Sequence, residues 1–464
     1  MEPRRWQADA RKVYFDAVER TKNFLAYVTP SAGKTFFATS VASDLMQESL
    51  IRQIAVVTHT HNLRTQWIDD AYDWGMLLGP LDSPGEHGFV VTYQQLADSD
   101  VAESVGLLTG RASRPTLMIG DEIHHASDQQ SWGRGLRTGF ARCFRRMVLS
   151  GTPFRRDEAR LPFVEYRNGI ARPSFSYGYS QGLADGIVAP VFFPTFDGRA
   201  KWRHGDREYH DCASNLGSMA AADRHLNTLL TSPDWLGSVL RAANEQLDEL
   251  RAYQPNAAGI VTAIDQSHAR SIVKMLNKIA GRDNVQLAIS DESDAHSVID
   301  EFKSRGKWLV AVRMVSEGVN IKRARVGVYA TNIRTELFFR QFVGRFTRVD
   351  DSFDDQSAFV FLPAHPELQD FARELAEDRY SVLRTTPRVS RGGGGPRVNV
   401  TELLGAGAAI EASTLAAGAG DFDAGELKRA DEVRKAAGLG HLPVPVVAQL
   451  LRAASVGPIT EGAS

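Results

Sequence analysis

Gly120-Asp121-Glu122-Ile123-His124 follows directly on the apolar run Thr116-Leu117-Met118-Ile119. The run predicts a short buried strand, which leaves the acidic pair at its carboxyl end. In a parallel sheet, ligands and catalytic groups gather at that end. Two adjacent carboxylates there can divide the work of nucleotide hydrolysis: Asp121 steadies Mg2+ and Glu122 polarises an attacking water. An acidic pair solvated at the start of a loop is the competing reading. The stretches before and after decide between the two.

Before it, Phe24-Leu25-Ala26-Tyr27-Val28 leads into Thr29-Pro30-Ser31-Ala32-Gly33-Lys34-Thr35. A turn of small residues between a strand and a helix lets backbone N–H groups close around phosphates at the positive helix end. Ser31, Ala32 and Gly33 would line that turn. Lys34 would reach the β- and γ-phosphates of ATP, and the Thr35 hydroxyl would take a place on Mg2+. The full phosphate-loop pattern has glycine where this chain has Val28, but Gly33-Lys34-Thr35 is intact.

After the acidic pair, Ser150-Gly151-Thr152-Pro153 stands behind the apolar Met147-Val148-Leu149. Ser316-Glu317-Gly318-Val319-Asn320-Ile321 stands behind Trp308-Leu309-Val310-Ala311-Val312. Gln341-Phe342-Val343-Gly344-Arg345-Phe346-Thr347-Arg348 is expected on a helix, where spacings of four and three put Gln341, Arg345 and Arg348 on one face. Such a face could approach a phosphate bound on another domain. Each piece alone reads equally as a turn or a solvated helix; their order along one chain argues against coincidence.

With these motifs in this order the chain resembles the superfamily 2 helicases and translocases of the DExH branch. Within that branch it is similar to phage-type DNA helicases and to the motor subunits of type I and type III restriction enzymes. The resemblance covers roughly residues 1–365. Arg4-Arg5-Trp6-Gln7 is similar to the family's adenine-reading segment, which implies nucleotide contacts for Arg4 and Gln7. Thr60, Leu63, Gln66 and Trp67 match a segment that the family uses on the nucleic-acid backbone, and Thr92-Tyr93-Gln94 matches the next. Tyr179 to Pro190 is similar to the stretch entering the interdomain segment. The resemblance implies nucleic-acid contacts at Thr60, Arg64, Thr92 and Thr331. It also implies coupling roles for His124, Ser150 and Thr152, and second-domain nucleotide contacts at Gly318 and Asn320, the latter standing where many relatives have aspartate. Catalysis would use Lys34, Asp121, Glu122, Gln341, Arg345 and Arg348, with ATP and Mg2+ as cofactors, Thr35 and Asp121 holding the metal.

Composition is compatible with this. A chain of 464 residues exceeds one compact core, and 43% hydrophobic with 24% charged residues is ordinary globular usage. A net charge of −2 announces no global polyanion binder, yet leaves room for one basic groove. Only Cys143 and Cys212 occur, which excludes a disulfide scaffold and a zinc cluster and suits a reducing compartment. The start lacks an apolar signal region, and no run approaches the ~20 apolar residues of a membrane span. A cytoplasmic protein with no membrane partner is expected.

The expected fold is α/β: two tandem RecA-like parallel-sheet domains, an interdomain helical connector and a C-terminal appendage. Boundaries are read at 1–157 for the first domain, 158–255 for the connector, 256–365 for the second domain and 366–464 for the extension. Apolar runs at Phe24–Val28, Ile54–Thr58, Gly88–Thr92, Thr116–Gly120 and Arg146–Ser150 supply the first sheet. Runs at 258–263, Val285–Ser290, Trp308–Val312, Val326–Thr331 and Ala358–Leu362 supply the second, with helices at about 214–231 and 235–252 between them. Arg391-Gly392-Gly393-Gly394-Gly395-Pro396 reads as a flexible break. Beyond it, helices at 424–437 and 444–454 could dock a protein partner. The activity expected is that of an ATP-dependent DNA helicase or translocase, with RNA the lesser substrate because the Asp-Glu-Ala-Asp form is absent. The alternatives are the motor subunit of a restriction or defence complex with a separate nuclease, and a nucleotide-gated remodeller that binds without processive unwinding.

Overall fold

The apolar runs become strands because they are buried on both faces, as helix-covered parallel sheets require. A computed structural model describes residues 2–18, 22–124, 130–151, 161–168, 170–198, 200–204, 207–211, 218–289, 295–312, 321–350 and 356–385, with 429 and 432. The chain divides into two compact units, Met1–Gly182 and Leu183–Ser464.

In the first unit β1 (Asn23–Val28), β2 (Gln53–Thr58), β3 (Leu78–Pro80), β4 (Gly88–Thr92), β5 (Thr116–Gly120) and β6 (Arg145–Ser150) follow in chain order. A two-stranded antiparallel ribbon, β7 (Tyr166–Arg167) with β8 (Ile170–Ala171), precedes β9 (Phe175–Tyr177). The main sheet runs β3-β4-β2-β5-β6-β1-β9, and every pair in it is parallel. Helices α1 (Arg5–Val18), α2 (Lys34–Gln47), α3 (His61–Tyr72), α4 (Ser99–Thr109) and α5 (Gln130–Phe140) accompany it. The chain leaves β1 and re-enters the sheet at β2, with β5 and β6 in between. The carboxyl ends of β1, β6 and β5 therefore lie side by side, and they carry the Lys34 turn, the Ser150 segment and the acidic pair. Leu25, Val57, Phe89, Val91, Met118 and Val148 join Leu136 and Phe140 of α5 in one buried cluster behind those ends.

The second unit opens with α6 (Tyr179–Ala184) crossing its boundary. It continues with β10 (Val191–Phe192), β11 (Thr195–Phe196) and an antiparallel hairpin, β12 (Ala200–His204) with β13 (Arg207–Asp211). The expected helical pair corresponds to α7 (Met219–Thr231) and α8 (Pro233–Arg251). Then come β14 (Ala258–Ala263), α9 (Gln266–Ala280), β15 (Val285–Ala288), α10 (Ala295–Phe302), β16 (Trp308–Ala311), β17 (Ala324–Ala330), α11 (Glu336–Val343), β18 (Ala358–Pro363) and α12 (Pro366–Thr385). Its sheet runs β10-β18-β17-β14-β16-β15, with β11 also on β18, again all parallel. Leu236, Leu240, Leu247 and Leu250 of α8 bury against Val261, Val326, Val328 and Phe359 of this sheet. Gly259 is obligatory under the Trp308 ring, since a Cβ there would lie 2.3 Å from it. The glycine-rich break and the two helices expected beyond it lie outside the described residues. None of the described helices is long and apolar enough to cross a membrane.

Candidate nucleotide site and nucleic-acid segments

The turn after β1 is built for an anion. Ser31 and Gly33 both take left-handed backbone, at φ 67° and 97°, and successive turns of this kind point backbone N–H groups to one side. Gly33 is the N-cap of α2 and no side chain caps the helix, so its first amides are offered outward. Val28, where the full pattern has glycine, is the fully buried last residue of β1. The glycine is thus unneeded at a position that is still strand.

The N-terminal segment braces this turn. Arg4 Nη1 donates to the Ala32 carbonyl at 2.9 Å and Trp6 Nε1 to the same oxygen at 3.2 Å. Gln7 Nε2 donates to the Gly33 carbonyl at 3.0 Å, while its Oε1 accepts from Arg4 N at 2.8 Å. Trp6 is buried and stacks on Tyr177 of β9, ring centroids 5.1 Å apart. Arg4 and Gln7 thus stand against the phosphate loop, with the Gln7 amide committed to its backbone.

Lys34 Nζ meets Glu122 Oε1 at 2.5 Å. The other carboxylate oxygen accepts from Gly151 N at 3.1 Å and lies 3.5 Å from His124 Nδ1. Burial alone would raise the Glu122 carboxyl, but Lys34, His124 and the Gly151 amide hold it below the ordinary glutamate range. Its neighbour behaves oppositely: burial, and then the charge of Glu122, push the Asp121 carboxyl above its usual value. Environments that separate two carboxylates in this way suit them to different tasks. Glu122 also sits at φ 49°, a strained setting for a residue with a side chain, and such strain concentrates at functional sites. His124 Nδ1 lies 3.1 Å from Ser150 Oγ, both buried.

Asp121 is fixed twice. Its Oδ2 accepts from Trp67 Nε1 of α3 at 2.9 Å, and its carbonyl accepts from Tyr93 OH, just past β4, at 2.9 Å. The donor set fits magnesium held with a nucleotide. Thr35 and Asp121 offer hard oxygen ligands, whereas no group of three or more His, Cys, Asp or Glu residues among the described residues could cage a metal alone. Mg2+ usually takes one or two protein oxygens and completes its shell with phosphate and water.

Of the nucleic-acid candidates, Thr60 caps α3 by accepting from Leu63 N at 3.3 Å, and Arg64 follows one turn later, both half-buried. Thr92 is buried, its hydroxyl 3.2 Å from Gln95 Oε1. Thr331 is buried just past β17. Thr152, Gly318 and Asn320 lie outside the described residues.

One expectation is corrected in the second unit. Gln341 is on α11, but the helix ends at Val343 with Gly344 as its C-cap, so Arg345 and Arg348 do not share a helix face with it. Phe346 follows the break. Its ring is buried so closely on Gly327 that a Cβ there would lie 2.6 Å from it, a seat that the chain reaches in the turn after the helix. Arg345 lies in the following turn. Arg348 pairs with Val188 in an isolated antiparallel bridge, and Ala189 N donates to the Thr347 carbonyl at 2.7 Å. Arg325 of β17, almost wholly buried, donates to the Arg348 carbonyl at 3.1 Å. Burial, and then the charge of Arg345, bring the Arg348 guanidinium below its ordinary range to about 9, still protonated at neutral pH. Sequence reasoning assigned no role to Arg325, nor to the bonds of Trp67 and Tyr93. An arginine in a strand and aromatics at buried positions carry no signal of what their polar atoms reach.

Residues 1–155 match the family described as "Type III restriction enzyme, res subunit". Those residues lie within the first unit, and over them the chain is similar to the res subunits of restriction enzymes. The chain is 37% identical over 404 residues to the uncharacterized protein Rv2917 of Mycobacterium tuberculosis, covering 83% of this chain and 65% of that protein. The uncharacterized protein ML1624 of Mycobacterium leprae is equally similar, 37% over 404 residues, covering 83% and 66%. The chain thus spans just under two thirds of the length of these relatives. Among solved structures, a fragment described as an HsdR subunit of a type I restriction enzyme from Vibrio vulnificus shares the fold, with TM-score 0.56, 18% identity and coverage of 80% and 65%. The ATP-dependent Type ISP restriction-modification enzyme LlaBIII, solved bound to DNA, has TM-score 0.53 and 12% identity, covering 82% of this chain and 30% of that one.

Proposed function

We propose that the protein is an ATP-dependent motor on DNA, a helicase or translocase in which hydrolysis drives movement or remodelling. The observation that carries this reading is the convergence of Lys34, Glu122 and the Gly151 amide on one another beside an uncapped helix start. Lys34 and the amides opening α2 bind the triphosphate, and Arg4 and Gln7 brace the loop beside the base. Once phosphate takes over Lys34, the Glu122 carboxylate is free to accept a proton from the attacking water. Bound with the nucleotide, Mg2+ would be held by Thr35 and Asp121 and would neutralise charge on the phosphate oxygens. Arg345, Arg348 and Gln341 are assigned to charge and water at the transferred phosphate, and Gly318 and Asn320 to further nucleotide contacts. His124, Ser150 and Thr152 are assigned to coupling, and Thr60, Arg64, Thr92 and Thr331 to the nucleic-acid backbone. The DNA-bound state of the similarly folded Type ISP enzyme supports DNA over RNA.

The match of residues 1–155 to a restriction-enzyme res subunit favours one second reading, a motor subunit whose nuclease is a separate chain. ATP hydrolysis measured with no nucleic acid, single-stranded DNA, duplex DNA and RNA tests the proposal, with Glu122→Gln as control. Strong stimulation by DNA is expected. A rate unmoved by every nucleic acid would overturn the motor reading for the isolated chain and favour a partner-dependent subunit.

A further inference from the structure

The two first-unit segments assigned to nucleic acid each send one aromatic hydrogen bond to the same residue. Thr60 opens α3, and two turns on the buried face of that helix presents Trp67, whose indole N–H reaches the Asp121 carboxylate at 2.9 Å. Thr92 ends β4, and the next residue, Tyr93, fully buried, gives its hydroxyl to the Asp121 carbonyl at 2.9 Å. That carbonyl belongs to the peptide leading into Glu122, the residue held in left-handed backbone at φ 49°. Asp121 N meanwhile donates to Val57 O at 2.8 Å, near the end of β2 from which the Thr60 segment departs.

Resting on the motor reading above, we propose that Trp67 and Tyr93 are positioning residues that transmit nucleic-acid contact at Thr60 and Thr92 to the Asp121–Glu122 peptide. The geometry gives each a lever. A small turn of α3 about its cap moves the indole and with it the orientation of the carboxylate. A shift at the end of β4 moves the phenol and with it the peptide that sets the Glu122 side chain. Both links are short, buried and hydrogen-bonded to a charged or strained group, where loss of a partner is most strongly felt. Trp132 packs flat beside Tyr93, centroids 6.3 Å apart.

Tyr93→Phe removes one oxygen from a buried ring, and Trp67→Phe removes the indole donor while keeping an aromatic on the same face. The wild type and both variants, as full chains, are compared in two ratios. One is ATP turnover with against without single-stranded DNA. The other is the affinity for a fluorescent single-stranded oligonucleotide with against without a non-hydrolysable ATP analogue and Mg2+. Reciprocity between two bound ligands holds for affinities, so the binding ratio reads the link thermodynamically and the turnover ratio reads it separately in rate. Each variant is expected to lower both ratios by about tenfold, the scale of one hydrogen bond to a charged or strained group. A merely structural role would lower stimulated and unstimulated values together and leave the ratios at the wild-type level, which would overturn the proposal. A wild type whose own ratios are both one would overturn the motor reading and this inference with it, an outcome distinct from coupled wild type with coupled variants.

Discussion

Few positions constrain this protein as tightly as Gly33. Its φ of 97° is closed to most side chains, and a Cβ would lie 2.9 Å from Gln7 Nε2. Left-handed backbone costs a non-glycine residue about 1–2 kcal/mol, and here the new methyl also presses on the amide bracing the loop. Gly33→Ala is expected to lower thermal stability by that amount and to weaken nucleotide binding about tenfold, measured by calorimetry and by titration with a fluorescent nucleotide. At Lys34 and Glu122 the expectations differ from each other. Lys34→Ala removes the cation proposed to meet the phosphates and should abolish both binding and turnover. Glu122→Gln keeps the shape and one of the two acceptor oxygens but loses the proposed base, so ATP should still bind while hydrolysis falls at least about a hundredfold. Normal hydrolysis by Glu122→Gln would show that the proton goes elsewhere. Residue identity made this cluster legible in the sequence, since Gly-Lys-Thr and Asp-Glu each stand at the end of an apolar run. What could not be read was the pairing: nothing in the chain states that Glu122 accepts both Lys34 and the Gly151 amide.

At the scale of elements, the apolar runs foretold the central strands to within two residues, because parallel strands buried on both faces leave continuous apolar stretches. Short edge strands were missed. Leu78–Pro80 and Phe175–Tyr177 are three residues each, too brief for periodicity, and they join the sheet only because neighbouring strands already exist. The reading of Gln341 to Arg348 as one helix failed for a similar reason. The three- and four-residue spacing was real, but the helix ends at Val343, and Phe346 beyond it seats on Gly327, a long-range contact that spacing does not carry. Helix α3 depends on its cap. Thr60→Ala should cost about 1 kcal/mol of local stability through the lost hydroxyl, visible as faster hydrogen exchange over the first turn of that helix. If Thr60 also touches nucleic acid, oligonucleotide affinity should fall by more than capping alone explains.

Across the whole molecule, the proposed catalytic constellation is divided. Lys34, Asp121 and Glu122 belong to the unit Met1–Gly182, and Gln341, Arg345 and Arg348 to Leu183–Ser464. Arginine assistance in phosphoryl transfer is worth ~10³–10⁵ in rate, so a contribution from the second unit would dominate stimulation. Arg348→Ala is expected to bind ATP normally but to lose nearly all of the increase in turnover that DNA produces. Unchanged stimulation would place the finger at another residue. Arg325, almost wholly buried, ties the Arg348 carbonyl to β17 within that unit. The bond between Lys34 and Glu122 has a consequence for the end of each turnover. A departing phosphate would ordinarily strand a half-buried cation, and the leaving anion would be drawn back to it. Here the chain carries its own replacement anion 2.5 Å away. Under the proposed hydrolysis, product exit would finish as an exchange inside the protein, and the step that lets phosphate go would also withdraw the base from idle water until the next nucleotide arrives.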